Sequence, residues 1–250
     1  MVGSSPRSSG DRVAGEIIVA HGMWEAIRSS KQYVPHSVGV YGASMTGKTT
    51  LDRQLTTQGE VRPLGEDDRT HHRQKRSGQY VLPPPTHKRI RSQGLKKTVV
   101  SRDLGGHVEY HNSWLKDMWE RKVKTIVVVL DHRHLEDPNN TDNQVALSYL
   151  VRSLRNQVRP KGLGIRRFFF QRKYMPRRII ILMNKADMWL DEDGFELWEK
   201  GFIVRHSVFD VFRQSLYELQ EANIPVRVDA CSATIGWNVD DAIFRGLMDL

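Results

Sequence analysis

Residues 42–49 read GASMTGKT and match the phosphate-binding pattern G-x-x-x-x-G-K-[ST] at every fixed position. The glycines let the backbone curl so that successive N–H groups point at phosphate oxygens, and Lys48 adds a positive charge beside the β- and γ-phosphates. The Thr49 hydroxyl is suited to Mg²⁺. An apolar strand precedes this loop and a helix follows it, and the positive N-terminal end of a helix also favours phosphate. The expected contacts are Ser44, Met45, Thr46, Gly47, Lys48, Thr49 and Thr50.

A second motif, DLGGH over residues 103–107, follows another predicted strand. A carboxylate at the end of a strand beside a phosphate loop is expected to hold Mg²⁺, usually through water, and Asp103 is in this position. Gly106 leaves its N–H open to a γ-phosphate because it has no side chain, and His107 follows where a residue that orients the attacking water is needed. We therefore predict Lys48, Gly106 and His107 as the catalytic residues. The alternative is an ordinary glycine turn followed by an exposed histidine.

A third motif, NKAD over residues 184–187, follows an apolar strand and indicates which base is bound. The Asp187 carboxylate can accept hydrogen bonds from both N1–H and the 2-amino group of guanine, whereas adenine lacks that amino group. The stem of Lys185 can cover the base, and Asn184 can tie this loop to the phosphate loop. Backbone N–H groups that could meet the guanine O6 follow a later strand, at Ser232, Ala233 and Thr234.

These motifs, in this order and at strand ends, resemble those of the Ras-like small GTPases of the TRAFAC class. GKTTL at residues 47–51 and DLGGH at 103–107 are most similar to the Arf/Sar branch, as is a helix before the first strand. The resemblance implies GTP and GDP binding, Mg²⁺, slow hydrolysis, and a molecular switch served by an effector, an exchange factor and a GTPase-activating protein. It also implies a Mg²⁺-binding threonine in switch I, for which Thr86 is the best match and Thr70 the second.

The chain divides into a flexible tail over residues 1–12, an N-terminal helix over 13–35 and a GTPase domain over 36–250. The region over 58–97 is an enlarged switch I segment, and 159–177 is a basic insertion. Helices that alternate with apolar strands predict an α/β fold. The expected fold class is the P-loop GTPase fold, a three-layer α/β/α sandwich around a mostly parallel sheet of six strands.

The hydrophobic pattern places the elements between these motifs. Strands are predicted over 36–41, 98–103, 125–130, 178–183 and 226–230. Helices are predicted from Lys48 and over 109–121, 143–157, 206–222 and 238–249. A hairpin between 86–91 and 95–101 supplies the remaining strand.

Composition excludes several classes of protein. The chain has 250 residues, 39% of them hydrophobic and 27% charged, so a disordered chain is excluded. One cysteine rules out an internal disulfide and fits a reducing compartment. No transmembrane helix, secretory signal or myristoylation site is expected. The net charge of +9 is concentrated in residues 69–97 and 152–178, which contain nine and ten Lys or Arg and no acids.

The leading hypothesis is a cytoplasmic GTPase that acts as a nucleotide-dependent switch. One alternative is a GTP-dependent RNA- or ribosome-associated factor, and another is a GTP-binding interaction module with little hydrolysis. Either basic segment could contact nucleic acid or the anionic surface of a membrane, which would make the protein peripheral to that membrane. An ATPase or kinase is the weakest option, because the guanine-binding motif over residues 184–187 would then have no function.

Overall fold

The computed structural model describes residues 36–57, 76–81, 98–161 and 173–248. The predicted tail, the N-terminal helix and most of the region over 58–97 lie outside this part of the chain. Six strands form one sheet. They are β1 (His36–Tyr41), β2 (Arg76–Val81), β3 (Thr98–Asp103), β4 (Thr125–Leu130), β5 (Arg178–Met183) and β6 (Val226–Ala230).

Helices connect these strands. They are α1 (Lys48–Thr57), α2 (His111–Arg121), α3 (Arg133–Glu136), α4 (Asp142–Arg155), α5 (Ala186–Trp189), α6 (Glu192–Glu199), α7 (Arg213–Glu221) and α8 (Val239–Met248). Short 3₁₀ turns occur at Val108–Tyr110, Ile203–Arg205 and Ser207–Phe212.

The strand order is β2-β3-β1-β4-β5-β6, and every neighbouring pair except β2–β3 is parallel. Strand β1 therefore lies between β3 and β4, with Val40 beside Asp103 and Tyr41 beside Val128. The chain leaves β1 toward one side of the sheet and later crosses to the other side for β4. In open α/β sheets, ligands bind in the crevice at the carboxyl ends of the strands where the order reverses in this way. Here that crevice lies directly after Tyr41.

Two cores cover the two faces of the sheet, because alternate residues of a strand point in opposite directions. Ile126 of β4 belongs to a cluster with Trp114 of α2 and Leu150 of α4. Its neighbour Val127 belongs to a second cluster with Leu51 of α1 and with residues of α8. Strands β4 and β5 are buried at every position, as expected for parallel strands covered on both sides. The predicted α/β fold with a mostly parallel sheet is confirmed.

The predicted hairpin is wrong in its pairing. Strand β3 pairs with β2 along its whole length and with β1 on its other edge. Residues 86–91, the predicted first strand of the hairpin, lie outside the described residues. The antiparallel partner is instead Arg76–Val81, whose sequence RSGQYV is polar and has no clear strand pattern.

The predicted helices agree with the structure to within a few residues, with one difference. The segment over 206–222 begins as the 3₁₀ turn Ser207–Phe212 and becomes α-helical only from Arg213. The short helices α3, α5 and α6 were not predicted. None of the helices within the described residues is long and apolar enough to cross a membrane.

Candidate functional site

The phosphate loop connects β1 to α1 at the crevice of the sheet. Gly42, Met45 and Gly47 have positive φ angles of 151°, 63° and 87°, so the backbone curls sharply within the loop. Thr46 Oγ1 donates to the carbonyl of Ala43 at 3.1 Å, and Lys48 Nζ donates to the same carbonyl at 2.5 Å. Lys48 is buried and spans the loop, so its charge lies where the curled backbone would hold phosphate.

Asn184 joins the phosphate loop to the two loops predicted to hold the base. Its Nδ2 donates to the carbonyl of Thr46 at 2.8 Å, and its Oδ1 accepts from the backbone N–H of Ala233 at 2.9 Å. A Cβ at Gly47 would lie 2.2 Å from that Nδ2, so glycine is required there. The expected tie between the NKAD loop and the phosphate loop is present, and Asn184 is only 2% exposed.

The Asn184→Ala variant is expected to lose about 2–4 kcal/mol of unfolding free energy, because the backbone groups at Thr46 and Ala233 would be buried without partners. Urea denaturation of the nucleotide-free protein measures this loss. The matched control is Asn139→Ala, in an exposed loop, where we expect no more than about 0.5 kcal/mol. Equal stability of the two variants would contradict the role given to Asn184.

The predicted base-binding residues lie side by side. Ser232 Oγ donates a hydrogen bond to Asp187 Oδ1, which fixes the direction of the carboxylate, and Asp187 remains exposed at the start of α5. Ser232 and Ala233 are buried, whereas Thr234 is exposed. The only cysteine, Cys231, is buried beside Asn184, and burial raises the pKa of its thiol strongly. Cys231 is therefore an inert packing residue.

Lys185 takes part in an ion cluster that the sequence did not predict. It has a left-handed backbone, φ 59°, and its Nζ donates to Asp131 Oδ2 at 2.9 Å. Asp131 follows β4 directly, is 0% exposed, and also binds Arg133 and Asn143. Burial alone would raise the pKa of Asp131, but its contacts with Lys185 and Arg133 lower it overall. The sequence did contain a signal for this cluster, because Asp131 places a carboxylate directly after the apolar run of β4, at the carboxyl end of a central parallel strand.

The DLGGH loop lies directly on the phosphate loop. A Cβ added to Gly106 would lie 2.2 Å from the carbonyl carbon of Ala43 and 2.4 Å from the amide nitrogen of Ser44. Trp114 Nε1 donates to the carbonyl of Gly105 at 2.9 Å and anchors the loop to α2. The loop is thus held between a buried helix and the phosphate loop, and only glycine fits at residue 106.

His107 is exposed at the end of this loop, and its carbonyl accepts from the backbone N–H of Tyr110 at 2.8 Å. Burial, and to a lesser extent the charge of nearby His107, lower the pKa of His111 to about 4. His111 is therefore neutral at neutral pH and packs between the rings of Trp114 and Tyr149. Of the two histidines, only His107 is exposed.

The structure describes some of the remaining predicted site residues and not others. Thr49 and Thr50 lie in the first turn of α1, and Ser44 and Met45 lie in the phosphate loop. The backbone of Asp103 ends β3, beside Val40 of β1. Thr86, the predicted switch I threonine, lies outside the described residues, as does Thr70. Within the part of the chain that is described, no group of three or more His, Cys, Asp or Glu could hold a metal ion alone.

No protein-family model matches the sequence, and no curated protein matches it. It is similar to a crystal structure of a bacterial selenocysteine-specific elongation factor, EF-Sec, with a TM-score of 0.46 and 15% sequence identity. The match covers 86% of this chain and 29% of that one, so the chain spans less than a third of the elongation factor's length. A likeness this slight carries no conclusion about function.

Proposed function

We propose that this protein is a P-loop GTPase that binds GTP with Mg²⁺, hydrolyses it to GDP and phosphate, and acts as a nucleotide-dependent switch. The observation that carries the proposal is the pair of hydrogen bonds made by Asn184, to Thr46 and to Ala233. They bring a loop suited to phosphate and two loops suited to guanine to one crevice. These three loops, at residues 42–49, 184–187 and 232–234, are far apart in sequence. Their meeting at one place supports a shared ligand.

In this proposal the phosphate loop and Lys48 bind the β- and γ-phosphates, and Asp187 selects guanine. Ser232 holds the Asp187 carboxylate in one orientation, so that its oxygens can accept from the two adjacent donors of guanine. The Ser232 N–H already donates to the carbonyl of Trp237, and the Ala233 N–H donates to Asn184. Of the three N–H groups predicted to meet the guanine O6, that of Thr234 would therefore make this contact, and the stem of Lys185 would cover the base. Asp131 holds Lys185 in place through the contact of 2.9 Å.

The chemistry of the crevice fits Mg²⁺ shared with a nucleotide. Mg²⁺ in proteins is usually held by one or two side chains together with substrate phosphates. We propose Thr49, Asp103 and Thr86 as the residues that would hold it. When bound, Mg²⁺ would neutralise charge on the phosphate oxygens.

Hydrolysis would depend on the DLGGH loop. Its Gly106 backbone lies against Ala43 and Ser44, so a γ-phosphate held by the phosphate loop is within reach of the Gly106 N–H. His107, exposed at the same edge, would orient the attacking water. Positioning and charge stabilisation supply nearly all of the catalysis in such sites.

The His107→Ala variant is expected to slow single-turnover GTP hydrolysis about 10-fold or more while GTP affinity stays within about 2-fold. The reason is that a water-orienting residue acts in the transition state and adds little to ground-state binding. Phosphate release from a preformed GTP complex measures the rate. Glu109→Ala, an exposed change on the same turn, is the control. An unchanged rate in the His107→Ala variant would remove His107 from the mechanism.

Within this class we propose that the chain is nearest to the Arf/Sar branch, because of the GKTTL motif, the helix predicted before the first strand and above all the DLGGH motif. The likeness to the elongation-factor structure does not single out that branch. A switch of this kind implies an effector that reads the triphosphate state, an exchange factor and a GTPase-activating protein. We propose a cytoplasmic location, which agrees with the single cysteine.

A second candidate function is that of a GTP-dependent, nucleic-acid-associated factor, and a basic face of the protein favours it. This face is formed by Lys122, Arg159, Lys173 and Arg177, all of which are exposed. The segments adjoin, because Tyr174 Oη donates to the carbonyl of Val123 at 2.8 Å and the Arg177 N–H donates to that of Lys124 at 2.8 Å. The surrounding sequence adds no negative charge to this face, because residues 143–186 contain no Asp or Glu.

This basic face is at the amino ends of β4 and β5, opposite the phosphate loop, so it could bind a polyanion while the crevice holds a nucleotide. Binding of single-stranded RNA that weakens steeply with salt would support this candidate, since each phosphate contact releases a counterion. The Lys173→Glu/Arg177→Glu double variant should then bind RNA about 10-fold more weakly or worse. Absence of RNA binding at low salt would count against the candidate and leave the GTPase proposal untouched.

A further inference from the structure

An arginine from the loop after β4 reaches the phosphate loop. Arg133 begins α3, and its Nη2 donates to the carbonyl of Ser44 at 2.7 Å. Its Nε lies 2.9 Å from both carboxylate oxygens of Asp131, which fixes the guanidinium plane. The Arg133 side chain is 18% exposed, so it is largely enclosed but still reaches solvent.

The charges around this arginine do not cancel. Asp131 is one carboxylate, and it receives both Arg133 and Lys185. The only other acid paired with Arg133 among the described residues is Asp142, which lies 3.9 Å from Nη1 and is 61% exposed. An exposed pair of that length contributes little. One positive charge is therefore left in excess beside the phosphate loop, which favours an anion there.

Arg133 approaches the same part of the loop as the DLGGH motif. The Cβ position of Gly106 lies 2.4 Å from the amide nitrogen of Ser44, and Arg133 binds the carbonyl of Ser44. If Gly106 faces the γ-phosphate, Arg133 lies beside the part of the loop that would hold the same end of the nucleotide. A guanidinium has five N–H donors, and among the described residues only Ser44 and Asp131 accept hydrogen bonds from it.

We propose that Arg133 contacts the terminal phosphate of GTP and stabilises the negative charge that builds up there during hydrolysis. The stabilising arginine would thus come from this chain and not from a partner protein. This inference rests on the proposed GTPase function. The water oxygen forms a bond to the γ-phosphorus, and the bond from that phosphorus to the β,γ-bridging oxygen breaks. Its electron pair stays on GDP, and the proton of the water leaves with the phosphate or to solvent. Arg133 neither gives nor takes a proton and acts by charge and hydrogen bonding alone.

The experiment compares the wild type with Arg133→Ala, Arg133→Lys and the control Arg152→Ala, an exposed arginine on α4. For each protein it measures the GDP and GTP dissociation constants, the single-turnover hydrolysis rate and the binding of aluminium fluoride to the GDP complex, which imitates the transferred phosphoryl group. Thermal unfolding with GDP bound shows that each variant is folded. Arg133→Lys keeps the charge in a smaller side chain, so it remains informative if Arg133→Ala does not fold.

We expect both Arg133 variants to hydrolyse GTP at least about 10-fold more slowly and to lose the aluminium fluoride complex, with GDP affinity within about 2-fold of the wild type. An unchanged rate would overturn the proposal. Equal losses of GDP and GTP affinity with an unchanged rate would also overturn it, because Arg133 would then only support the loop. If the wild type itself binds no GTP, the proposed function fails and this inference fails with it.

Discussion

The Asp187→Asn variant is expected to bind GTP about 100-fold more weakly than the wild type, or worse. A carboxylate accepts from both N1–H and the 2-amino group of guanine, and hydrogen bonds to a charged group contribute about 1.5–3 kcal/mol each. An asparagine amide can accept only one of them and turns its own donors toward the other. A factor of 100 corresponds to about 2.7 kcal/mol, which is within that range. Equilibrium titration with a fluorescent GTP analogue measures the loss.

The same variant should gain affinity for xanthosine triphosphate, because xanthine carries a carbonyl at carbon two in place of the amino group. The side-chain amide introduced by the substitution could donate to that carbonyl while its oxygen accepts from N1–H. Asp193→Asn is the matched control, since it removes one exposed carboxylate from neighbouring α6. A loss of GTP affinity in both variants would point to net charge and would contradict base selection by Asp187.

The Gly106→Ala variant is expected to lose at least about 100-fold in hydrolysis rate, because the DLGGH loop could no longer lie on the phosphate loop. The new methyl group would meet the backbone of Ala43 and Ser44 at 2.2–2.4 Å, where no flexible side chain can move aside. One displaced N–H donor at a reacting phosphate can cost about 2.7–4 kcal/mol of transition-state stabilisation. Single-turnover hydrolysis measures the rate, and comparison of GTP with GDP affinity shows whether the γ-phosphate contact is lost.

Gly105→Ala is the matched control for this change. The three atoms nearest to a Cβ at Gly105 all belong to the ring of Tyr110, the first of them 2.6 Å away, and a partly exposed ring can move. We expect this variant to keep most of the wild-type rate. Similar losses at both glycines would show that the loop tolerates no added volume and would contradict a specific contact at Gly106.

The parts of the fold and site that the sequence predicts are those with a strong local cause. The runs TIVVVL and RIIILM are buried on both faces of the sheet, so apolar β-branched residues at nearly every position reveal β4 and β5 directly. The phosphate loop and the NKAD motif were found because each places several fixed residue types at fixed spacing. The sequence also predicted that the Asn184 amide ties its loop to the phosphate loop, and the structure shows that its partner there is Thr46.

The parts that the sequence does not reveal depend on contacts between distant segments. Strand β2 is polar and is stabilised by its pairing with β3, so its own residues carry little strand pattern. The contact of Arg133 with Ser44 joins residues 89 positions apart, and nothing near Arg133 distinguishes it from other arginines. The predicted helix over 206–222 begins as a 3₁₀ turn, a form that is common at helix termini. Its first residues are capped by His206 Nδ1, which accepts from the Val208 N–H and is not visible as a cap in the sequence.

The central claim is that this crevice binds a guanine nucleotide. The most direct test is calorimetric titration of the nucleotide-free protein with GTP and with ATP, each in the presence of Mg²⁺. We expect GTP to bind at least about 100-fold more tightly than ATP, because only guanine offers two donors to Asp187. Equal affinity for the two nucleotides, or binding of neither, would contradict the account.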